Sequence, residues 1–523
     1  MKRYLIVVFV AAVALYLATS RYGYVQDDRS IIVSNPATHS IGAALGAFDD
    51  PYWPRETGAG LYRPLTILSF AVDWTIGRGR SGWLHLMNAL WHGLATVLFV
   101  CIIAQWLPPI GAVAAGLVFA WHPVHVEAVA SLVGRAELLV AVGIFGAVLA
   151  ARRGWRVAAV ACAVLAMLSK EHGVIAGVVI LLDKWLLPVS ASGGEDSRER
   201  GPWGREREAG GEPTLWIALG VVTLGFLAAW LTIGWVGESD AAAVFYGKGT
   251  WGRLAIALPA VLQAAVLLVW PASLSADYSP QVIPARTGFS LAMLLGFCIV
   301  VLVPALVLWC RRRAPAISFA AGLALLAYLP TANLFFPSGV VLAERNLYLA
   351  VALPAVLVGW AATWCAVQRG ARPAAFATAI LVVAAGARSL ARLPAWQDNR
   401  AQLLTLLSDH PESYRAHASA AAVLAGLRDT AGARREYQTA DSLFSGDPYL
   451  DGAHAIFLIG IGDTAAALPL IARRESTKVG QRMTRRARFL LARARNQPGL
   501  ARAIADSALE LPGEDSWYRH YLQ

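Results

Sequence analysis

Six short clusters concentrate the chain's ionisable side chains. Gln26-Asp27-Asp28-Arg29 sets two carboxylates side by side just beyond an apolar N-terminal run. Neighbouring side chains point in different directions, so one carboxylate can face a site while the other supports it. A carboxylate so placed serves as general base or metal ligand, against the plainer alternative of a solvated loop pair. Trp121-His122-Pro123-Val124-His125-Val126-Glu127 continues into Gly134-Arg135-Ala136-Glu137. Two imidazoles, two carboxylates and a guanidinium thus meet at the turn between two apolar segments, where ionisable groups are costly unless used or paired. HxxHxE can ligate a metal. Pro123, however, breaks helical spacing between the histidines and the pattern is not HExxH, which favours hydrogen bonding to a polar substrate or to neighbouring loops. Ser169-Lys170-Glu171-His172 makes a tight turn whose lysine can reach a lipid phosphate or pair with Glu171. Tyr62-Arg63-Pro64, Asp277-Tyr278-Ser279 and the stretch 333–348 with Glu344-Arg345-Asn346 complete the set.

The elements that must position these clusters are membrane helices. Of 523 residues, 57% are hydrophobic and 15% charged. Apolar runs of about 20 residues, long enough to cross a bilayer, recur to about residue 390. An ordinary soluble enzyme is excluded, and an all-α polytopic membrane protein is expected. Lys2-Arg3 and the apolar run to Ser20 resemble a signal peptide's start, but no small-residue cleavage pattern follows, so an uncleaved first span is expected, cytoplasmic end first. The loop 21–82, with Asp49, Asp50 and Glu56, is then extracytoplasmic and holds an interfacial helix over Pro64–Ile76. Further spans are expected at about 84–106, 109–122, 136–150, 157–169, 172–187, 214–236, 289–310, 316–332, 347–367 and 373–390. Basic connections alternate between them as cytoplasmic turns: Arg152, Arg153 and Arg156; Arg311, Arg312 and Arg313; Arg369 and Arg372. The loop 188–213, with Arg198, Arg200, Arg205 and Arg207, joins them. Residues 254–271 are apolar enough to cross but contain Pro259 and Gln263. Crossing would move Arg311 to Arg313 outside, so a re-entrant or interfacial helix is expected, giving about 11 spans and an extracytoplasmic C-terminus.

Long apolar runs stop near residue 391, and Ala, Arg and Leu take over at helical spacing. Ala433, Tyr437 and Ala440, then Ala466 and Leu470, then Ala501, Ala505, Ala508 and Pro512 mark a period near 34. That is the tetratricopeptide period, without that repeat's Trp and Gly-Tyr elements. Two domains are expected: 1–390 in the membrane and 391–523 as an extracytoplasmic helical interaction module. Of the net charge of +11, the tail holds +3 and residues 1–390 hold +8, concentrated in the cytoplasmic connections. The basic excess is therefore topological signal, and no nucleic-acid partner is expected. Cys101, Cys162, Cys298, Cys310 and Cys365 lie in or beside apolar segments without ligand spacing and read as small buried hydrophobes.

At these residues the sequence resembles the transmembrane-and-tetratricopeptide-repeat O-mannosyltransferases, in its bacterial form. The resemblance lies in Asp27-Asp28, Tyr62-Arg63-Pro64-Leu65, HLMNALWH (85–92), HPVHVEAVASLVGRAELL (122–139), LSKEHGV (168–174), Asp277-Tyr278-Ser279 and NLFFPSGVVLAERNLYL (333–349), in that order and followed by the repeats. It implies a GT-C membrane glycosyltransferase that inverts configuration while moving a hexose, mannose by the resemblance, from a polyprenyl-phosphate carrier to a Ser/Thr hydroxyl of protein or another envelope acceptor. By motif position the base falls on Asp27, with Asp28 as support or alternative. Arg63, Arg135, Lys170 and Arg345 are the candidates for the leaving phosphate, whose developing charge calls for cations. His122, His125, Glu127, Glu137 and His172 would bind sugar or acceptor or orient the base. No nucleotide-binding loop is present, in keeping with a lipid-linked donor, and no metal or other cofactor is assigned. The expected partners are the bilayer, the lipid-linked sugar and an acceptor engaged by the repeats; the expected location is a bacterial inner membrane. The rival from another class is a non-catalytic receptor or transport component that presents the repeat domain.

Overall fold

The computed structural model describes residues 2–54, 60–187, 212–234, 241–284, 288–473, 481–509 and 518. Glu56, Arg198, Arg200, Arg205, Arg207 and Pro512 lie outside the described residues. Among those described the chain is all-helical, with a single isolated bridge between Pro280 and Ile283 in place of any strand. Helices satisfy their backbone groups internally, which a segment surrounded by hydrocarbon requires. In chain order they are α1 (Lys2–Tyr16), α2 (Pro64–Gly77), α3 (Ser81–Ile103), α4 (Pro109–Trp121), α5 (Arg135–Arg152), α6 (Arg156–Ser169) and α7 (Ala176–Leu186). Then follow α8 (Glu212–Ala229), α9 (Thr250–Val269), α10 (Leu291–Cys310), α11 (Pro315–Tyr328), α12 (Ala352–Arg369) and α13 (Ala371–Arg392). Proline opens α2, α4 and α11, where its missing N–H costs nothing, and the Ser290 hydroxyl accepts from Met293 N at 3.2 Å to cap α10.

The bundle is built around α5, the most enclosed of the long apolar helices, whereas α10 is the most exposed to its surroundings. Small residues allow close approach: a Cβ on Gly111 of α4 would meet the carbonyl oxygen of Gly359 in α12 at 2.6 Å. By length and composition, eight described helices can cross a membrane. The expected 11 spans differ from these eight in two ways: they include α4, α6, α7 and α11, which are shorter than a bilayer-crossing helix usually is, and they leave out α9.

The two ends of the bundle differ in chemistry. One gathers the basic turns. Arg152 grips Asp183 at 2.6 and 2.9 Å and lies 4.8 Å over Trp106, while Arg311 lies 4.0 Å over Trp185. The other end holds Asp27 and Asp28. Of residues 254–271, those to Val269 belong to one continuous helix, α9, which runs through Pro259 rather than breaking there, and Trp270 and Pro271 lie beyond its end. Near its start Arg253 donates to Leu334 O at 3.3 Å, and near its end Leu268 O meets His122 at 3.1 Å. By length and composition α9 is nevertheless one of the eight described helices that can cross a membrane, against the expectation of a re-entrant or interfacial helix.

Beyond α13 the helices pair: α14 (Asn399–Asp409) leads into α15 (Tyr414–Gly426) with α16 (Thr430–Leu443), α17 (Pro448–Gly460) with α18 (Thr464–Ala472), and α19 (Gln481–Ala494) with α20 (Pro498–Leu509). The first helices of the pairs begin at 414, 448 and 481, and the second at 430, 464 and 498. Capping repeats with the same period. Ser413, Asp429, Asp447 and Asp463 each accept a backbone N–H one to three residues into the helix that follows. Ala433, Tyr437, Ala440, Leu470, Ala501, Ala505 and Ala508 are buried at the helix contacts, and Ala466 is half-buried.

The Arg152–Asp183 clasp yields a test of the basic end. Asp183 is 1% exposed, so Arg152→Ala strands a buried charge and should cost about 3 kcal/mol. Unfolding in detergent should register that loss, and adding Asp183→Asn should recover part of it.

Candidate active site

The loop after α1 is held by its second carboxylate. Asp28 is fully buried and accepts from Val25 N and from Val133 N, each at 3.0 Å. It thereby fastens the first loop to the turn that precedes α5. Burial pushes its carboxyl up to about 7, against the pull of these N–H donors. Asp27 is half-buried, and its carboxylate hydrogen-bonds to no described residue. Burial raises it above the usual carboxylate range, the Arg345 guanidinium pulls it back, Glu127 raises it, and Arg63 and Arg415 lower it. The two neighbours thus differ: Asp28 is fully engaged in holding the loop, and Asp27 has no hydrogen-bond partner among the described residues.

Two of the expected cations, Arg345 and Arg63, act on this carboxylate, Lys170 lies near both, and each of the three is held by a carboxylate of its own. Arg63 donates from Nε and Nη2 to Glu171 at 3.0 and 2.8 Å and covers the Tyr52 ring at 4.9 Å. Lys170 pairs with Glu137, whose other oxygen lies 3.3 Å from His172 Nε2, and it also reaches Asn346 Oδ1 at 3.2 Å. Lys170 therefore does not pair with Glu171, because α5 brings Glu137 beneath it and Glu171 turns to Arg63. Arg345 spends Nη1 on Glu127, whose second oxygen accepts Arg345 N at 2.9 Å. Its side chain is 34% exposed, against 13% for Arg63 and 10% for Lys170, and its Nε and Nη2 hydrogen-bond to no described residue. Of the three it is the cation most open to an incoming anion.

Arg135 does not join them. It is fully buried, and it donates to Asp73, to Asn88 Oδ1 at 2.8 Å, to Leu84 O at 2.9 Å and to Ser69 O at 3.3 Å, with the Phe70 ring 4.6 Å away. A guanidinium so occupied is a structural tie rather than a phosphate ligand. Gly134 is needed beside it, since a Cβ there would collide with the Ala128 carbonyl. His122 and His125 also face inward. His122 Nε2 meets Leu268 O and its Nδ1 accepts from Val124 N, while His125 Nε2 meets Tyr348 O at 2.9 Å and its ring stacks on Tyr348 at 4.2 Å. With Glu127 committed to Arg345, the HxxHxE residues do not converge. Among the described residues no group of three or more His, Cys, Asp or Glu side chains could hold a metal ion.

Several participants escaped the sequence. Asp73 answers Arg135, and a lone carboxylate in the apolar run PLTILSFAVDWTIG was the available signal. Asn88 relays from Arg135 to the carbonyls of Val129, Ser131 and Leu132. Asn399 accepts from Gln26 N at 2.7 Å from the far side of the chain, with no local signal at all.

No protein-family model matches the chain. It is 41% identical over 133 residues, 24% of its length and 14% of the relative's, to Protein O-mannosyl-transferase Tmtc2 of Drosophila melanogaster. It is 28% identical over 382 residues to Protein O-mannosyl-transferase TMTC3 of Mus musculus, covering 66% of this chain and 41% of the mouse protein. A third relative, Protein O-mannosyl-transferase F38B6.6 of Caenorhabditis elegans, is 28% identical over 364 residues, covering 66% and 49%. The chain spans less than half the length of these curated relatives. Among solved structures, ArnT from Cupriavidus metallidurans, bound to undecaprenyl phosphate, aligns with 97% of this chain and 80% of its own at a TM-score of 0.39 and 14% identity. The resemblance read from the motifs thus extends over about two thirds of the chain.

Asp27 and Asp28 should separate in stability. Asp28→Asn turns an acceptor into a donor against a backbone N–H and should cost about 1–3 kcal/mol. Asp27→Asn should leave the thermal midpoint unchanged, since it breaks no hydrogen bond seen here. Melting both variants in detergent makes the comparison.

Proposed function

We propose that the protein is an inverting membrane glycosyltransferase that moves a hexose, mannose by the family resemblance, from a polyprenyl-phosphate carrier to a Ser/Thr hydroxyl of a protein or another envelope acceptor. The observation that carries this reading is the Asp27 carboxylate, unpaired and half-buried among cations that are themselves restrained by carboxylates. Asp27 takes the proton as the acceptor oxygen attacks the anomeric carbon, and the carrier phosphate leaves from the opposite face, which inverts configuration. Arg345, with Arg63 and Lys170 behind it, stabilises the charge that develops on the phosphate. Because those partners are preset by Glu127, Glu171 and Glu137, little reorganisation accompanies the transfer. The reaction so written needs no metal. Glu137 and His172 position Lys170, and Glu127 positions Arg345. His122 and His125 brace the wall behind them.

The basic turns favour a cytoplasmic location for their end of the bundle, which puts Asp27 outside, in a bacterial inner membrane. The domain division at about residue 390 follows from the same reading. Residues 391–523 form a tetratricopeptide-like module for the acceptor, and its 34-residue pairing supports that assignment.

With the full chain in lipid nanodiscs, a polyprenyl-phosphate sugar and a Ser/Thr peptide, Asp27→Asn should lower transfer by roughly 10²–10⁴-fold at unchanged fold. Full activity from that variant would sink the mechanism. The pH profile offers a second check. The base works ionised, so activity rises with pH through the Asp27 pKa, and its acid limb should lie above the ordinary carboxylate range. Arg345→Ala removes the largest lowering charge and uncovers Glu127, so it should move that limb to still higher pH.

A further inference from the structure

The seam between the membrane bundle and the helical pairs passes beside Asp27. Gly23 N donates to Gln397 O at 2.9 Å and Gln26 N to Asn399 Oδ1 at 2.7 Å, so the backbone just before Asp27 is held by the residues that open the tail. Gln26 adopts a left-handed φ of 45°, a conformation that a side-chain-bearing residue keeps only when its surroundings impose it. Opposite, Asp277 Oδ2 accepts from Ser413 Oγ at 2.6 Å, which fixes the N-terminus of α15 against the bundle. Arg415 follows in the first turn of α15. Its Nε donates to Tyr414 Oη at 3.2 Å, its Nη1 lies 3.9 Å from Asp277 Oδ1, and its Nη groups hydrogen-bond to no described residue. The side chain is 43% exposed, and its charge is among those that Asp27 faces.

We propose that Arg415 is a specificity-determining residue, which receives a carboxylate of the acceptor polypeptide close to the hydroxyl to be modified. This rests on the sugar-transfer reading. The bundle's own cations already face the carrier phosphate, whereas Arg415 approaches from the helical pairs, on the side where a polypeptide would arrive. A guanidinium with its Nη donors unspent suits a bidentate carboxylate. Asp277 takes both of its hydroxyl hydrogen bonds on Oδ2, and among the described residues its Oδ1 meets only Arg415 Nη1, in a loose ion pair at 3.9 Å that leaves Nη2 open. The acceptor site is in this view shared between the two parts of the chain, and an acidic peptide is the class that fits.

The test uses the full-length protein in nanodiscs and three peptides that differ only in carrying Asp, Asn or Lys beside the acceptor Thr. Both peptide binding and KM for transfer are measured. The wild type should bind the Asp peptide roughly tenfold more tightly than the Asn peptide, as a charge-assisted pair would give. Arg415→Gln should bring that ratio to about one, Arg415→Lys should keep part of it, and Arg415→Glu should invert it in favour of the Lys peptide, a gain that misfolding does not produce. Equal wild-type binding of the Asp and Asn peptides, or a ratio that survives Arg415→Gln, overturns the proposal. An Asp preference in binding without any sugar transfer supports the acidic-peptide site and overturns the sugar-transfer reading. Transfer without an Asp preference does the reverse.

Discussion

The site end of the bundle depends on the burial of Arg135. A guanidinium taken wholly out of water is sustained only if its donors are met, and here they are met by Asp73, Asn88, Leu84 O and Ser69 O. Those partners come from α2 and α3, so a single side chain of α5 fixes both against the central helix. Asn88 carries the tie onward to the turn at 129–132, and the next residue of that turn, Val133, donates to Asp28. The position of the first loop is thus inherited from a fully buried charge.

The same logic, inverted, explains Asp27. Arg63, Lys170 and Arg345 each have a carboxylate partner, and Asp28 has two N–H donors, whereas the Asp27 carboxylate hydrogen-bonds to no described residue. In the proposed reaction, preset pairs keep Arg63, Lys170 and Arg345 oriented at little entropic cost, while Asp27 as base keeps its lone pairs available. A bundle that neutralised Asp27 with a direct salt bridge would be quieter electrostatically and would leave the proposed reaction without its base.

The seam with the helical pairs adds a second dependence. Because Asn399 and Gln397 hold the backbone at Gln26 and Gly23, the geometry of the Asp27 loop depends on the start of the tail as well as on the membrane helices. Removal of the tail would alter the base loop and the acceptor surface together, so the two parts act as one catalytic unit in the proposed reaction.

By itself the sequence determined what local patterns encode. Apolar runs specified the helices, the period of small residues specified paired helices in the tail, and Asp27-Asp28 with the motifs after it marked the end of the bundle where the proposed site lies. Those features need only one segment and its solvent, since hydropathy and capping act over a few residues. Tertiary structure alone decided the roles of like residues. Asp28 became structural because Val133 lies opposite it, Arg135 became a tie because Asp73 and Asn88 face it, and Arg345 remained open because only one of its edges meets Glu127. Continuity of α9 through Pro259 was also decided there, by packing against α10 and the segment near Leu334. Ionisable side chains take their function from the partners that share their low-dielectric surroundings, and those partners lie tens to hundreds of residues away in the chain.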